Sequence, residues 1–222
     1  NFSIISRPKH TVYFVCFFMP KTQIVHIHGG NTFDSREQYY SYIKKQEFSL
    51  IQESETGWRN WIQQELIGTC EVILPSMPAS DDADYVAWKI WFEKMFPYLG
   101  DNKIILIGHS LWTIFLAKYL SENIFPKPIY SLHLVGSVFD GEDITDEWMA
   151  NFILQPELLS KIPHITQNIH LYHSVDDPIC PWKNVEKYQT YFPDAQLHRF
   201  ENRGHFLDMT FPELLEQLKK EI

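Results

Sequence analysis

The sequence predicts a three-layer α/β/α sandwich around a mostly parallel sheet, and three observations predict it. From residue 22 onward, short β-branched runs alternate with helical patterns. Most of those runs are continuously apolar, as expected of strands buried on both faces. The chain has 222 residues, which suits a single domain able to bury a core without staples. Strand–helix alternation builds βαβ units with right-handed crossovers. Ligands on such sheets bind just beyond the carboxyl ends of the strands, so the functional candidates belong there.

In chain order the predicted strands are Thr22–His28, Cys70–Leu74, Lys103–Gly108, Ile129–Gly136, Asn168–His173 and Gln196–Phe200. Between them, Trp58, Trp61, Ile62 and Leu66 fall at helical spacing. A helix over Asp84–Phe96 follows the N-cap candidates Asp81 and Asp82. Further helices are expected over Leu111–Glu122, Asn184–Tyr191 and Pro212–Ile222, and residues 47–55, EFSLIQESE, read as a solvated connector. The acidic, aromatic stretch 137–163 breaks the rhythm and is expected to form a small cap or lid. Met19 opens a run leading straight into the first strand, so 1–18 is read as an extension outside a single domain spanning 19–222. The competing reading is an edge strand, Thr11–Phe18, that turns at Pro20-Lys21. Its apolar run is too short to span a bilayer and lacks a basic start with a small-residue cleavage site.

The formal net charge of -9, with no stripe of Lys and Arg, argues against nucleic acid or anionic membrane as a partner. The three cysteines are widely spaced and form no CxxC, which speaks against a disulfide framework or zinc knuckle and for a reducing, cytoplasmic setting.

Three signals carry chemistry. In KIILIGHS a strand ends in Gly-x-Ser and a helix follows, the arrangement that lifts a serine hydroxyl above a sheet. Taken alone, Ser110 fits a helix-capping serine equally well. Asp176 and Asp177 follow the fifth strand in SVDDPICP, a setting that also suits an ordinary turn. His205 lies between the last strand and last helix, one of ten histidines. The order Ser, Asp, His, each after its own strand, is that of α/β-hydrolases. Gly29-Gly30 after the first strand supplies an oxyanion hole: the N–H groups of Gly30 and Leu111 are the candidate donors, with Asn31 or Thr32 in support. Asn31, His109 and Trp112 are the candidate substrate contacts. His26 and His28 share a strand face, yet no second ligand cluster lies near in sequence, so no metal and no cofactor is expected.

With GHS at 108–110, SVDDPICPW at 174–182 and AQLHRFENRGHF at 195–206, the chain resembles the small YdeN-like α/β-hydrolases, the family of the retinoblastoma-binding-protein-nine-like serine hydrolases. The resemblance runs over roughly 22–222 and implies a minimal α/β-hydrolase fold with a small cap. It also implies a triad of Ser110, Asp177 and His205, which favours Asp177 over Asp176. The expected reaction is cleavage of a small-molecule carboxylic ester through an acyl-enzyme. Thioesters, lactones and amides share that chemistry.

Trp112 departs from the family, which has glycine there. Three outcomes are open: the indole turns into a gap, it narrows the acyl pocket, or it misplaces Ser110. The last would leave a hydrolase-fold binding protein in place of an enzyme.

Overall fold

The computed structural model describes residues 22–46, 57–141, 149 and 151–222. The N-terminal extension with its alternative edge strand, the connector at 47–55 and part of the 137–163 insertion lie outside the described residues.

Six strands form one sheet: β1 (Thr22–Ile27), β2 (Glu71–Ile73), β3 (Lys103–His109), β4 (Ile129–Val135), β5 (Thr166–Ser174) and β6 (Gln196–Phe200). Their order is β2-β1-β3-β4-β5-β6, and every pairing is parallel. The expected strands all form, because alternate residues of each apolar run serve opposite faces. In β3, Ile104 and Leu106 join one core, while Ile105 and Ile107 join the other.

The first core packs α3 (Tyr85–Glu93), α4 (Leu111–Glu122) and α6 (Lys183–Tyr191) on the sheet. The second packs α2 (Trp58–Glu65) and α7 (Pro212–Glu221) on the opposite face. These are the three layers of the expected sandwich. Among the described residues, no helix is long and apolar enough to cross a membrane.

Two details differ from the sequence reading. The helix α1 (Arg36–Lys45) was not expected, because it buries no residue and so shows no apolar stripe. Its signal is local: Ser35 and Gln38 form a capping box. The cap of α3 is Asp84, whose side chain accepts the Ala87 N–H at 2.8 Å, rather than Asp81 or Asp82. Asp82 instead pairs with Arg36. In the 137–163 stretch, a 3₁₀ turn over Pro156–Lys161 leads into the short α5 (Ile162–Ile165). Phe152, Leu159 and Ile162 enter the main core there, and Phe139, Met149, Phe152, Leu154 and Pro156 help line a cavity of about 260 Å³.

Helix α7 is fastened by a polar seam. Glu221, on its last turn, accepts hydrogen bonds from Ser131 (2.5 Å), His133 (3.1 Å), His170 (3.0 Å) and Gln217 (2.7 Å). The phenol of Tyr172 closes on His133 Nδ1 at 3.2 Å, and His170 Nδ1 shares a hydrogen bond with His198 Nε2 at 3.1 Å. All of Ser131, His133, His170, Tyr172 and Glu221 are buried, so their polar atoms depend on one another for partners.

Candidate active site

Ser110 sits between β3 and α4 with φ 57° and ψ −129°, a left-sided conformation rare for a residue with a side chain. Hydrogen bonds hold the strain in place. The Ser110 N–H donates to Val135 O at 3.0 Å, and Thr113 gives both its N–H (2.8 Å) and its hydroxyl (2.7 Å) to Ser110 O. The same Thr113 hydroxyl accepts the Val138 N–H at 2.8 Å, tying the elbow to the loop after β4. The Ser110 side chain forms no capping bond to α4. The helix-cap reading therefore fails, and its hydroxyl is left for other work.

Gly108 explains how the elbow closes around Trp112. A Cβ at 108 would stand 3.0 Å from the Trp112 carbonyl oxygen and 3.0 Å from Leu116 Cδ1, so it is the tryptophan's backbone that passes close to the strand. The indole lies in the main core, fully buried. It stacks on Trp88 at 5.0 Å and 14°, and meets Phe115 edge-on at 4.2 Å. Trp112 is thus a core residue and makes no open wall of the site. Among the described residues its indole N–H finds no acceptor.

His205 and Asp177 meet at 2.8 Å through Nδ1 and Oδ2, both buried. The other Asp177 oxygen accepts the N–H groups of Ile179 (2.9 Å) and Cys180 (2.8 Å), which fixes the carboxylate plane. Asp176 does a different job. Its Oδ1 accepts the Ser174 hydroxyl (2.5 Å) and the Gly204 N–H (2.9 Å), pinning the loop that carries His205. The Ser174 bond, chiefly, holds the Asp176 carboxyl below the usual carboxylate range. Gly136, at φ 54°, floors the histidine: a Cβ there would reach His205 Cε1 at 3.1 Å.

The remaining candidates spread out. Gly29 lies against the serine, where a Cβ would come within 2.8 Å of Ser110 Cβ and 3.4 Å of Oγ. Gly30 packs one residue on, under Ser80 O and the Trp88 ring. Leu111 opens α4, and an N–H in a helix's first turn has no intrahelical acceptor. Asn31 is tied to its surroundings: its N–H donates to Ser80 O at 2.8 Å and its side chain to the Tyr42 hydroxyl at 3.0 Å. The Thr32 hydroxyl is likewise spent, on Ala83 O. His109 props the histidine from below, with Nε2 on His205 O at 2.8 Å and the rings 4.9 Å apart. Burial first, and then His205, pushes His109 down to about 3. Sequence reasoning missed Thr113, Asp176 as a tether, and Trp58, whose indole donates to Phe206 O at 2.8 Å from the far layer.

Two groups of side chains have metal-like proximity among the described residues: Asp177–Cys180–His205 and His133–His170–Glu221. The first is the hydrogen-bonded pair just described. In the second, the imidazoles of His133 and His170 stack at 4.5 Å and 5°. A metal lies near the plane of each ring that binds it, and two stacked parallel rings offer no such shared point. Their contacts with Glu221 are those of a hydrogen-bonded fork. His26 stacks on Trp58 at 4.4 Å and is buried, in keeping with a packing role.

A parallel sheet, a strained serine at the end of β3, and an Asp–His pair at the ends of β5 and β6 define an α/β-hydrolase fold. The solved ydeN gene product of B. subtilis superposes on it with a TM-score of 0.68 at 16% identity, over 90% of this chain and 97% of that one. Esterase PE8 gives 0.55 at 15% identity, over 92% and 94%. No family model matches the chain. Among curated proteins, the serine hydrolase RBBP9 of Rattus norvegicus is 31% identical over 170 residues, spanning 73% of this chain and 85% of that protein. The chain belongs to the RBBP9 family of serine hydrolases.

Proposed function

We propose that the protein hydrolyses small carboxylic esters with Ser110 as nucleophile, His205 as general base and acid, and Asp177 as the residue that orients the base. The observation that carries this reading is the coincidence of a strained, uncapped serine with a buried Asp177–His205 pair at 2.8 Å. Asp177 fixes the proton on Nδ1 of His205 and leaves Nε2 to take the proton of Ser110. The serine oxygen attacks the ester carbonyl. The developing oxyanion is held by backbone N–H groups of the Gly29–Gly30 turn and of Leu111, aided by the positive end of α4. The alcohol leaves with the proton from His205. Water, deprotonated by His205, then releases the acid from Ser110.

The indole's burial among core aromatics supports the enzyme over a damaged binding protein, because Trp112 is packed into the core and not exposed at the site. Turnover of short p-nitrophenyl esters tests the reading. Ser110→Ala is expected to abolish it in a folded protein, and unchanged turnover refutes the assignment. Preference for a thioester, lactone or amide in the same assay would keep the triad and replace the ester.

A further inference from the structure

Resting on the triad proposed above, we propose that His173 is a positioning residue that locks the loop carrying Asp177 to the floor beneath His205. His173 is fully buried near the end of β5. Its Nδ1 accepts the Ser137 N–H at 3.2 Å, and its Nε2 reaches Cys180 O at 2.7 Å. These partners fix the tautomer. A backbone N–H can only donate and a carbonyl can only accept, so Nδ1 is bare and Nε2 carries the proton. Burial holds the ring below the ordinary histidine range, which keeps it in this neutral form.

Both ends of the ring lead to the triad. Cys180 takes the His173 proton on its carbonyl and gives its own N–H to Asp177 Oδ1 at 2.8 Å. Ser137 follows Gly136, the residue whose missing Cβ makes room for His205. Residue 172 completes the grip, since the Gly136 N–H donates to Tyr172 O at 2.9 Å. Two successive residues of β5 thus hold the floor, and one of them also holds the acid loop. The Trp182 ring stands edge-on to His173 at 5.7 Å and closes the remaining side. Without His173, the Asp177 carboxylate keeps its local turn but loses its fixed distance from the floor on which His205 rests.

The test compares His173→Phe, which fills the space without either hydrogen bond, with His173→Gln, which restores a donor near Cys180 O. His173→Phe is expected to lower kcat on p-nitrophenyl acetate about 10- to 100-fold with little change in KM, the scale of a small misplacement. His173→Gln is expected to recover much of that loss. The downfield proton resonance of the His205–Asp177 hydrogen bond should shift or broaden in the Phe variant and return in the Gln variant. Unchanged kcat and an unchanged resonance in folded His173→Phe overturn the proposal. So does a loss in both variants that tracks unfolding alone. Wild-type protein that hydrolyses no ester overturns the reading in the preceding subsection, and the resonance still decides the role of His173.

Discussion

Restoring the family's glycine at position 112 should damage this protein rather than improve it. Trp112 is fully buried and stacked on Trp88, so Trp112→Gly opens a hole between α3 and α4. Large-to-small changes of this kind cost about 3–5 kcal/mol. The same change removes a buried indole N–H that has no acceptor among the described residues, which returns about 1–3 kcal/mol. The net loss is roughly 2 kcal/mol, or about 4–8 °C in Tm for a chain of this size. Trp112→Phe separates the two effects. It keeps most of the ring and discards the N–H. The lost area is worth roughly 1 kcal/mol, so its Tm should equal or exceed that of the wild type. Thermal unfolding followed by circular dichroism reads both variants. A Phe variant that falls as far as the Gly variant would refute the orphan N–H. A Gly variant with unchanged Tm would refute the packing account. Ester turnover by Trp112→Phe should match the wild type, because Phe keeps a ring packed in the core against Trp88.

Three further outcomes are expected. Asp177→Asn should lower kcat by about 10³–10⁴ through loss of the right histidine tautomer, while Asp176→Ala, which only loosens the loop, should cost far less; equal losses in ester kinetics would contradict the division of labour. Gly29→Ala places a methyl 2.8 Å from Ser110 Cβ, so activity should drop about a hundredfold with the fold intact by circular dichroism, and full activity would show that the turn does not face the serine. The α7 seam makes stability acid-sensitive: burial lowers His133, and takes His198 down to about 4, while hydrogen bonds from His133 and His170 outweigh burial and hold Glu221 below its ordinary range. Folded-state values below the unfolded ones mean that stability is full above about pH 6.5 and falls as pH drops through about 4. Glu221→Gln should cost about 1–3 kcal/mol at neutral pH, the scale of weakened hydrogen bonds to a charged group, and a urea midpoint unaffected by the change would dismiss the seam.

The sequence made the scaffold legible where burial is two-sided. Most strands are apolar runs whose alternate residues feed opposite cores, so β3 announces itself from Ile104 to Ile107. Helix α1 was hidden for the opposite reason, since it buries nothing. The elbow was readable because Gly108 and Ser110 are neighbours in sequence. The choice between Asp176 and Asp177 rested on the family resemblance, because both acids follow β5; the folded loop brings Asp177 to His205 and leaves Asp176 on Gly204. The bonds of Thr113 to Val138, of Trp58 to Phe206 and of His173 to Ser137 left no spacing signal, for they join elements far apart in the chain. The direction of the Trp112 indole depended on α3, whose Trp88 provides the surface it stacks on.

The central claim is that Ser110 is a working nucleophile. Reaction of the folded protein with a fluorophosphonate probe, followed by mass spectrometry of the peptide spanning β3 and α4, tests it most directly. The account predicts a covalent adduct on Ser110 that forms in wild-type protein and disappears in Ser110→Ala. Folded wild-type protein that acquires no adduct, or one that carries the label elsewhere and keeps it in Ser110→Ala, would contradict it.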